Sequence, residues 1–205
     1  NTGALMALSL LNIKPLDSIK RPAIASIWPN LNGESIVLDL GANIKSTSQY
    51  LVDNAILGSS LASSLLKIKN PSVGLLNVGK EDNKGNEIVN EASLKLTELK
   101  VKGLINYVGY IEGSDISGGK TNVVITDGFT GNIALKTAEG TARMIKTFLK
   151  DTLNSSIISK LGSFFASFAL DSLRSKLDPS IHNCGIFVGL KAPVIKCHGA
   201  SDHVG

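Results

Sequence analysis

Residues 120–140 read KTNVVITDGFTGNIALKTAEG, and the fold of the chain turns on how they are divided. Val123-Val124-Ile125-Thr126 is a short β-branched run between polar residues, the pattern of a buried strand. The run breaks at Asp127-Gly128-Phe129-Thr130-Gly131-Asn132. Beyond the break Leu135, Ala138, Ala142, Ile145 and Leu149 recur at helical spacing. A strand, a glycine turn and a helix start aim free main-chain N–H groups and a positive helix end at one point. Gly128 and Gly131 let backbone approach a ligand closely, and Thr130 or Asn132 is placed to cap the helix. An anion site is one reading; an ordinary βα turn is the other.

Recurrence favours the first. Val37-Leu38-Asp39-Leu40 runs into Gly41-Ala42-Asn43, and Val73–Val78 runs into Gly79–Asn86, which includes Lys84 and Gly85. Val194–Cys197 runs into His198-Gly199-Ala200. Four apolar runs thus finish in glycine and small polar residues, with helical patterns after at least three. In a parallel sheet such ends share one edge, where ligands of open α/β folds bind. The expectation is a three-layer α/β/α fold with a mostly parallel sheet and four strand ends meeting at a common mouth.

Composition narrows the function. The chain has 205 residues, 43% hydrophobic and 19% charged, enough for a good core and unlike a disordered tail. Lys and Arg number 21 against 17 Asp and Glu, a net charge of +4. Arg21, Arg143 and Arg174 are the only arginines, and Lys, Asn and Ile are all plentiful, so genomic base composition accounts for the basicity. Attraction to an acidic carrier, anionic lipid or phosphorylated substrate is the functional alternative. No basic stripe with interleaved aromatics is present, and nucleic acid is not expected as a partner. Cys184 and Cys197 are the only cysteines, which fits a reducing cytoplasm. Three histidines and both cysteines fall between His182 and His203, but their spacing matches no standard zinc site. Cys197 reads as a buried small hydrophobe, and no metal is expected. Ala4–Leu8 is apolar yet lacks the positive flank and cleavage pattern of a signal peptide, and no run is long enough to span a bilayer.

Along the chain, Asn1-Thr2-Gly3 with Ala4–Leu11 reads as another glycine-polar turn opening a helix. An extended stretch from Arg21 to Ile27 closes at Trp28-Pro29-Asn30, with a turn at Asn32-Gly33. A long helix from about Ser48 to Ile68 faces the core through Leu51, Ala55, Leu61 and Leu65, with Gly58 as a close-packing point. Ile88, Ala92, Leu96 and Leu99 form one face of a helix from Glu87 to Leu99. Leu104–Tyr110 is a strand leading to Glu112-Gly113-Ser114-Asp115. The exception to this βα alternation is 154–177, where Ile157, Ile158, Leu161, Phe164, Phe165, Phe168 and Leu173 follow helical spacing, flanked by Lys160, Arg174 and Lys176. This reads as a protruding amphipathic hairpin of two short helices interrupted near Gly162. Its apolar face is either a subunit contact or a membrane contact.

With these residues laid out, the sequence resembles the bacterial phosphate acyltransferases of fatty-acid and phospholipid synthesis, the acyl-acyl-carrier-protein:phosphate acyltransferases. The resemblance is carried by residues 1–7, 21–30, 38–43, 73–87, 127–140 and 189–202, in order and over nearly the whole chain. It implies a phosphotransacetylase- and isocitrate-dehydrogenase-like α/β/α fold, a homodimer in the cytoplasm, and peripheral association with the inner face of the cell membrane. Family members begin before the Asn1-Thr2-Gly3 motif and run past residue 202, so 1–205 is expected to be one catalytic domain lacking terminal parts. Ser114 stands where the family usually has arginine, and Asn183-Cys184-Gly185 replaces a Gly-Gly-Ala stretch.

The reaction so implied moves a fatty acyl group from the thioester of acyl carrier protein to inorganic phosphate. The acyl phosphate then serves a glycerol-3-phosphate acyltransferase downstream. No cofactor is implied. A thiol leaving group with a pKa near 8.5 needs no strong general acid. The sequence shows no GxSxG elbow, so orientation and electrostatics must carry the rate. The resemblance points to Lys84, in its glycine-bounded loop, as the first catalytic group and Asn132 as the second. Substrate contacts are expected from Asn1, Thr2, Gly3, Asp39, Gly41, Asn43, Asn77, Gly79, Gly85, Asn86, Asp127, Gly128, Thr130, Gly131, His198 and Gly199. For Asp39, Asn43, Asn77, Asp127, Thr130 and His198 turn chemistry or capping is the equal alternative. Three other functions remain open: a short-chain phosphotransacetylase acting on acyl-CoA, a non-catalytic phospho-ligand or lipid-surface module, and, with least support because GxGxxG is missing, a dehydrogenase.

Overall fold

The computed structural model describes residues 2–81, 84–167, 170 and 184–197. Its elements in chain order are α1 (Thr2–Asn12), β1 (Ala23–Asn30), β2 (Gly33–Leu38), α2 (Ser48–Leu65), β3 (Ser72–Leu76), α3 (Glu87–Val101), β4 (Asn106–Ile111), α4 (Gly113–Gly118), β5 (Val123–Ile125), α5 (Gly128–Asn154), α6 (Ile157–Phe165), β6 (Cys184–Val188) and β7 (Val194–Cys197).

The strands form one sheet in the order β4-β3-β5-β2-β1-β6-β7. β5 pairs in parallel with β3 on one side and β2 on the other, so Leu75, Ile125 and Leu38 lie side by side. Its three residues are all buried, because helices cover both faces of the sheet. Alternation sorts the side chains between two cores. Val123 and Ile125 join Ile36, Leu38, Leu75, Leu51, Ala55 and Leu96 beneath α2 and α3. Val124 and Val37 join Ile24, Phe187 and Ile116 on the other face, against Leu5 and Met6 of α1 and Leu135 of α5. This is a three-layer α/β/α fold. Gly58 lies where α2 crosses the sheet, since a Cβ there would stand 2.7 Å from Val123 and 2.8 Å from Leu38.

Three expectations are corrected. β1 pairs antiparallel with β2 and β6, and β6 antiparallel with β7, so β1 and β7 run against the other five strands. Val194–Cys197 therefore finishes at the opposite edge from β2, β3 and β5. Five residues separate β6 from β7, too few for the crossover a parallel neighbour needs. In α3 the buried face is Val89, Ala92 and Leu96, while Ile88 is 38% exposed, one position round the helix. The break in the helical arm falls at Ser155-Ser156, where Ser156 Oγ accepts from Ser159 N at 3.0 Å, and α6 continues through Gly162. Leu173 and most of the second arm lie outside the described residues. β6 has no counterpart in the sequence reading.

Candidate functional site

Asp39 follows β2 and is fully buried. Its Oδ1 accepts from the main-chain N–H groups of Ile24 (3.1 Å), Gly41 (3.1 Å) and Ala42 (2.9 Å). Its Oδ2 accepts from Asn43 N and from the Tyr50 hydroxyl, both at 2.8 Å. The carboxylate thus winds residues 39–43 around itself, acting as a turn and capping group. Asn43, also buried, donates through Nδ2 to Pro22 O and Tyr50 Oη, each at 2.7 Å, and accepts from Arg21 Nη1 at 3.4 Å.

The turn after β5 interlocks with this loop. Gly128 N donates to Asn43 O at 3.0 Å. A Cβ on Gly128 would stand 2.6 Å from Asn43 O, and one on Gly131 would run into Asp39 O. Both positions need glycine because another backbone passes over them. Asp127 caps α5, accepting from Thr130 N (2.8 Å) and Thr130 Oγ1 (2.7 Å). Asn132, exposed on the first turn of α5, lays its amide over Gly41, whose added Cβ would be 2.7 Å from Asn132 Nδ2. Thr2, Gly41 and Asn132 line one cavity of about 110 Å³, with Lys136, Glu139, Cys184 and Lys196 also on its wall. Lys136 Nζ pairs with Glu139 Oε2 at 2.9 Å. Gly3 lies beside Thr2 in α1.

The loop after β3 adjoins them, because β3 is the direct neighbour of β5. Asn77 Oδ1 accepts from Val78 N at 2.9 Å and its Nδ2 donates to Lys84 O at 3.1 Å, closing the loop that carries the lysine. Gly85, at φ +91°, packs against the Asn77 amide, where a Cβ would collide. The Lys84 side chain is exposed, its Nζ 3.8 Å from Glu81 Oε2 and its stem carbons packed beside Gly79. Asn86 caps α3 by accepting from Val89 N at 2.9 Å. Lys80 Nζ bonds Asp115 at 3.0 Å. The Glu112 N–H first, and Lys80 after it, hold the Asp115 carboxyl below the usual range.

Lys84 and Asn43, on loops, and Asn132, near the start of α5, therefore stand at one sheet edge, at the ends of three strands rather than four. Asn1, His198 and Gly199 lie outside the described residues. The sequence reading missed Tyr50, whose hydroxyl ties Asp39 to Asn43, and Arg21. It also missed a cleft of about 640 Å³ beside the 42–47 loop, lined by Lys20, Arg21, Lys45 and Tyr50. Arg21 carried a signal: it stands two residues before β1 and is one of three arginines.

These features define an α/β/α protein in which the residues following β2, β3 and β5 lie at one edge of the sheet. The fold is that of solved phosphotransacetylases. The Streptococcus pyogenes enzyme matches with a TM-score of 0.55 over 70% of this chain and 48% of its own, at 18% identity. The EutD phosphotransacetylase of Staphylococcus aureus matches with a TM-score of 0.51 over 65% of this chain and 46% of its own, again at 18% identity.

Sequence relationship is closer still. Residues 1–205 match the family described as fatty acid synthesis protein, and the chain belongs to that family. Relatives described as phosphate acyltransferase include that of Azorhizobium caulinodans, 53% identical over the full chain and 58% of the relative. That of Sinorhizobium fredii is 50% identical over the full chain and 59% of the relative. The chain thus spans somewhat under two thirds of the length of the curated relatives it matches.

Proposed function

We propose that this chain carries the phosphate-side half of an acyl-transfer site, moving a fatty acyl group from acyl carrier protein to inorganic phosphate. The observation that carries this is the interlocking of the 39–43 and 127–132 loops beneath Asn132, beside the lysine loop after β3. A phosphate oxygen attacks the thioester carbonyl, negative charge collects on the carbonyl oxygen, and the thiolate leaves. Lys84 neutralises phosphate or that oxyanion, and Asn132 Nδ2 donates to it. Asp39 contributes by fixing the loop over which Asn132 lies. The name phosphate acyltransferase, carried by relatives at about half identity, supports acyl transfer with phosphate as the acceptor. The same reading takes the protein as a homodimer peripheral to the inner membrane face, with its acyl phosphate consumed by a glycerol-3-phosphate acyltransferase.

In the complete enzyme, Lys84→Ala and Asn132→Ala are each expected to slow acyl-phosphate formation at least about a hundredfold. Rates within a few-fold of the parent would remove them from these roles. Comparing long-chain acyl-carrier thioesters with short acyl-CoA separates this reading from a short-chain phosphotransacetylase.

A further inference from the structure

Cys184 and Cys197 are register partners across the β6–β7 pair, and their Sγ atoms lie 3.0 Å apart. Both are free thiols, and Cys197 is exposed, correcting its reading as a buried hydrophobe. Among the described residues β7 is an edge strand, with β6 as its neighbour in the sheet. The chain has no third cysteine to compete. Cross-strand partners stand about 4.5–5.5 Å apart at Cα, inside the range of about 4.4–6.8 Å that a disulfide spans. Closing the sulfurs to a bond of about 2.05 Å needs a shift of only about an ångström.

We propose that Cys184 and Cys197 form a reversible dithiol–disulfide couple, a modification site answering to peroxides. The thiolate of Cys197, the more exposed residue, attacks a peroxide oxygen, giving a sulfenic acid and releasing one water after protonation. Cys184 then attacks that sulfur, forming the S–S bond and expelling the second water. Two thiols and one hydrogen peroxide give one disulfide and two waters, the sulfurs losing the two electrons the peroxide gains. With the resolving sulfur already in contact, the second step outruns further oxidation to sulfinic acid. The couple also bears on the candidate site, because Cys184 shares a cavity wall with Gly41 and Asn132. It stands independently of the acyl-transfer reading.

The test is peroxide treatment of the reduced, folded chain, followed by intact mass and non-reducing peptide mapping. The expected result is loss of two hydrogens, a single intrachain link between the Cys184 and Cys197 peptides, and full return of both thiols with dithiothreitol. Dimedone, which traps sulfenic acid, should label Cys197 in Cys184→Ser and leave the parent essentially unlabelled. Equal labelling of parent and variant, or links only between chains, would overturn the proposal. Because the parent protein alone supplies the mass and mapping results, a variant that folds poorly leaves the test intact.

Discussion

Tyr50 shows what a single hydroxyl does here. It donates to Asp39 Oδ2 and accepts from Asn43 Nδ2 inside the core. Burial first, and the Asp39 charge second, hold it protonated far above the usual tyrosine range. Tyr50→Phe leaves a buried carboxylate one donor short and is expected to cost about 1.5–3 kcal/mol at pH 7. The pH dependence has a definite sign. The unfolded tyrosine releases its proton near pH 10 while the folded one keeps it, so this group's contribution falls as pH rises above about 10. Only the parent suffers that loss, so its advantage over Tyr50→Phe should narrow there. Urea unfolding of both proteins at neutral pH and above about pH 10 checks this, and an unchanged gap would contradict it. Asp39, Asn43, Gly128 and Gly131 were legible in the sequence as turn residues. That Asp39 is spent inward, on five donors, was not: its tyrosine partner is eleven residues away on a helix, a tertiary relation without a local pattern.

Among elements, the strand–turn–helix unit of β5 and α5 was readable because its signals are local: a β-branched run, glycines, then helical spacing; its cap, expected at Thr130 or Asn132, is instead Asp127. Two substitutions separate the cap from the crossing. Asp127→Ala removes the acceptor for Thr130 N and is expected to cost about 1 kcal/mol, the usual value of a helix N-cap. Gly131→Ala drives a methyl group into the Asp39 carbonyl, where neither backbone can yield, and is expected to cost more, about 1–3 kcal/mol. Denaturation midpoints should fall in that order; equal midpoints would mean that the two loops give way together. The β6–β7 pair was less legible, since apolar residues before a glycine predict a strand but not its direction. Direction depends on the length of the connection and the neighbour, and β6 was not recognised. The helical spacing of α5 was read correctly as a helix, yet of its 27 residues only Gly128 and Gly131 are buried. Periodicity identifies an apolar face without saying what covers it.

That uncovered face shapes the whole molecule. Beyond Leu135 no residue of α5 is packed in either core, and α6 contacts α5. Ile157 (86% exposed), Ile158 (84%), Leu161 (59%) and Phe165 (79%) crowd nine residues of α6, with Phe148 also exposed on α5. Scattered surface apolar residues are ordinary, but a cluster of exposed ones on a single short helix is the pattern of a contact surface. Among the described residues no helix is long and apolar enough to cross a membrane, so contact with lipid would be in the plane of the surface. Side chains of Phe164 and Phe168 belong to the same predicted face but lie outside those described. The proposed membrane contact makes a quantitative prediction. Burying an apolar side chain contributes about 1.5–3 kcal/mol, so Leu161→Ser with Phe165→Ser should weaken binding to anionic vesicles at least about tenfold. Flotation measures that loss, and light scattering on the same samples should report an unchanged mass. If flotation is undiminished and the mass halves instead, the tip belongs to a subunit interface, because only a second copy of the chain would then be lost with those two side chains.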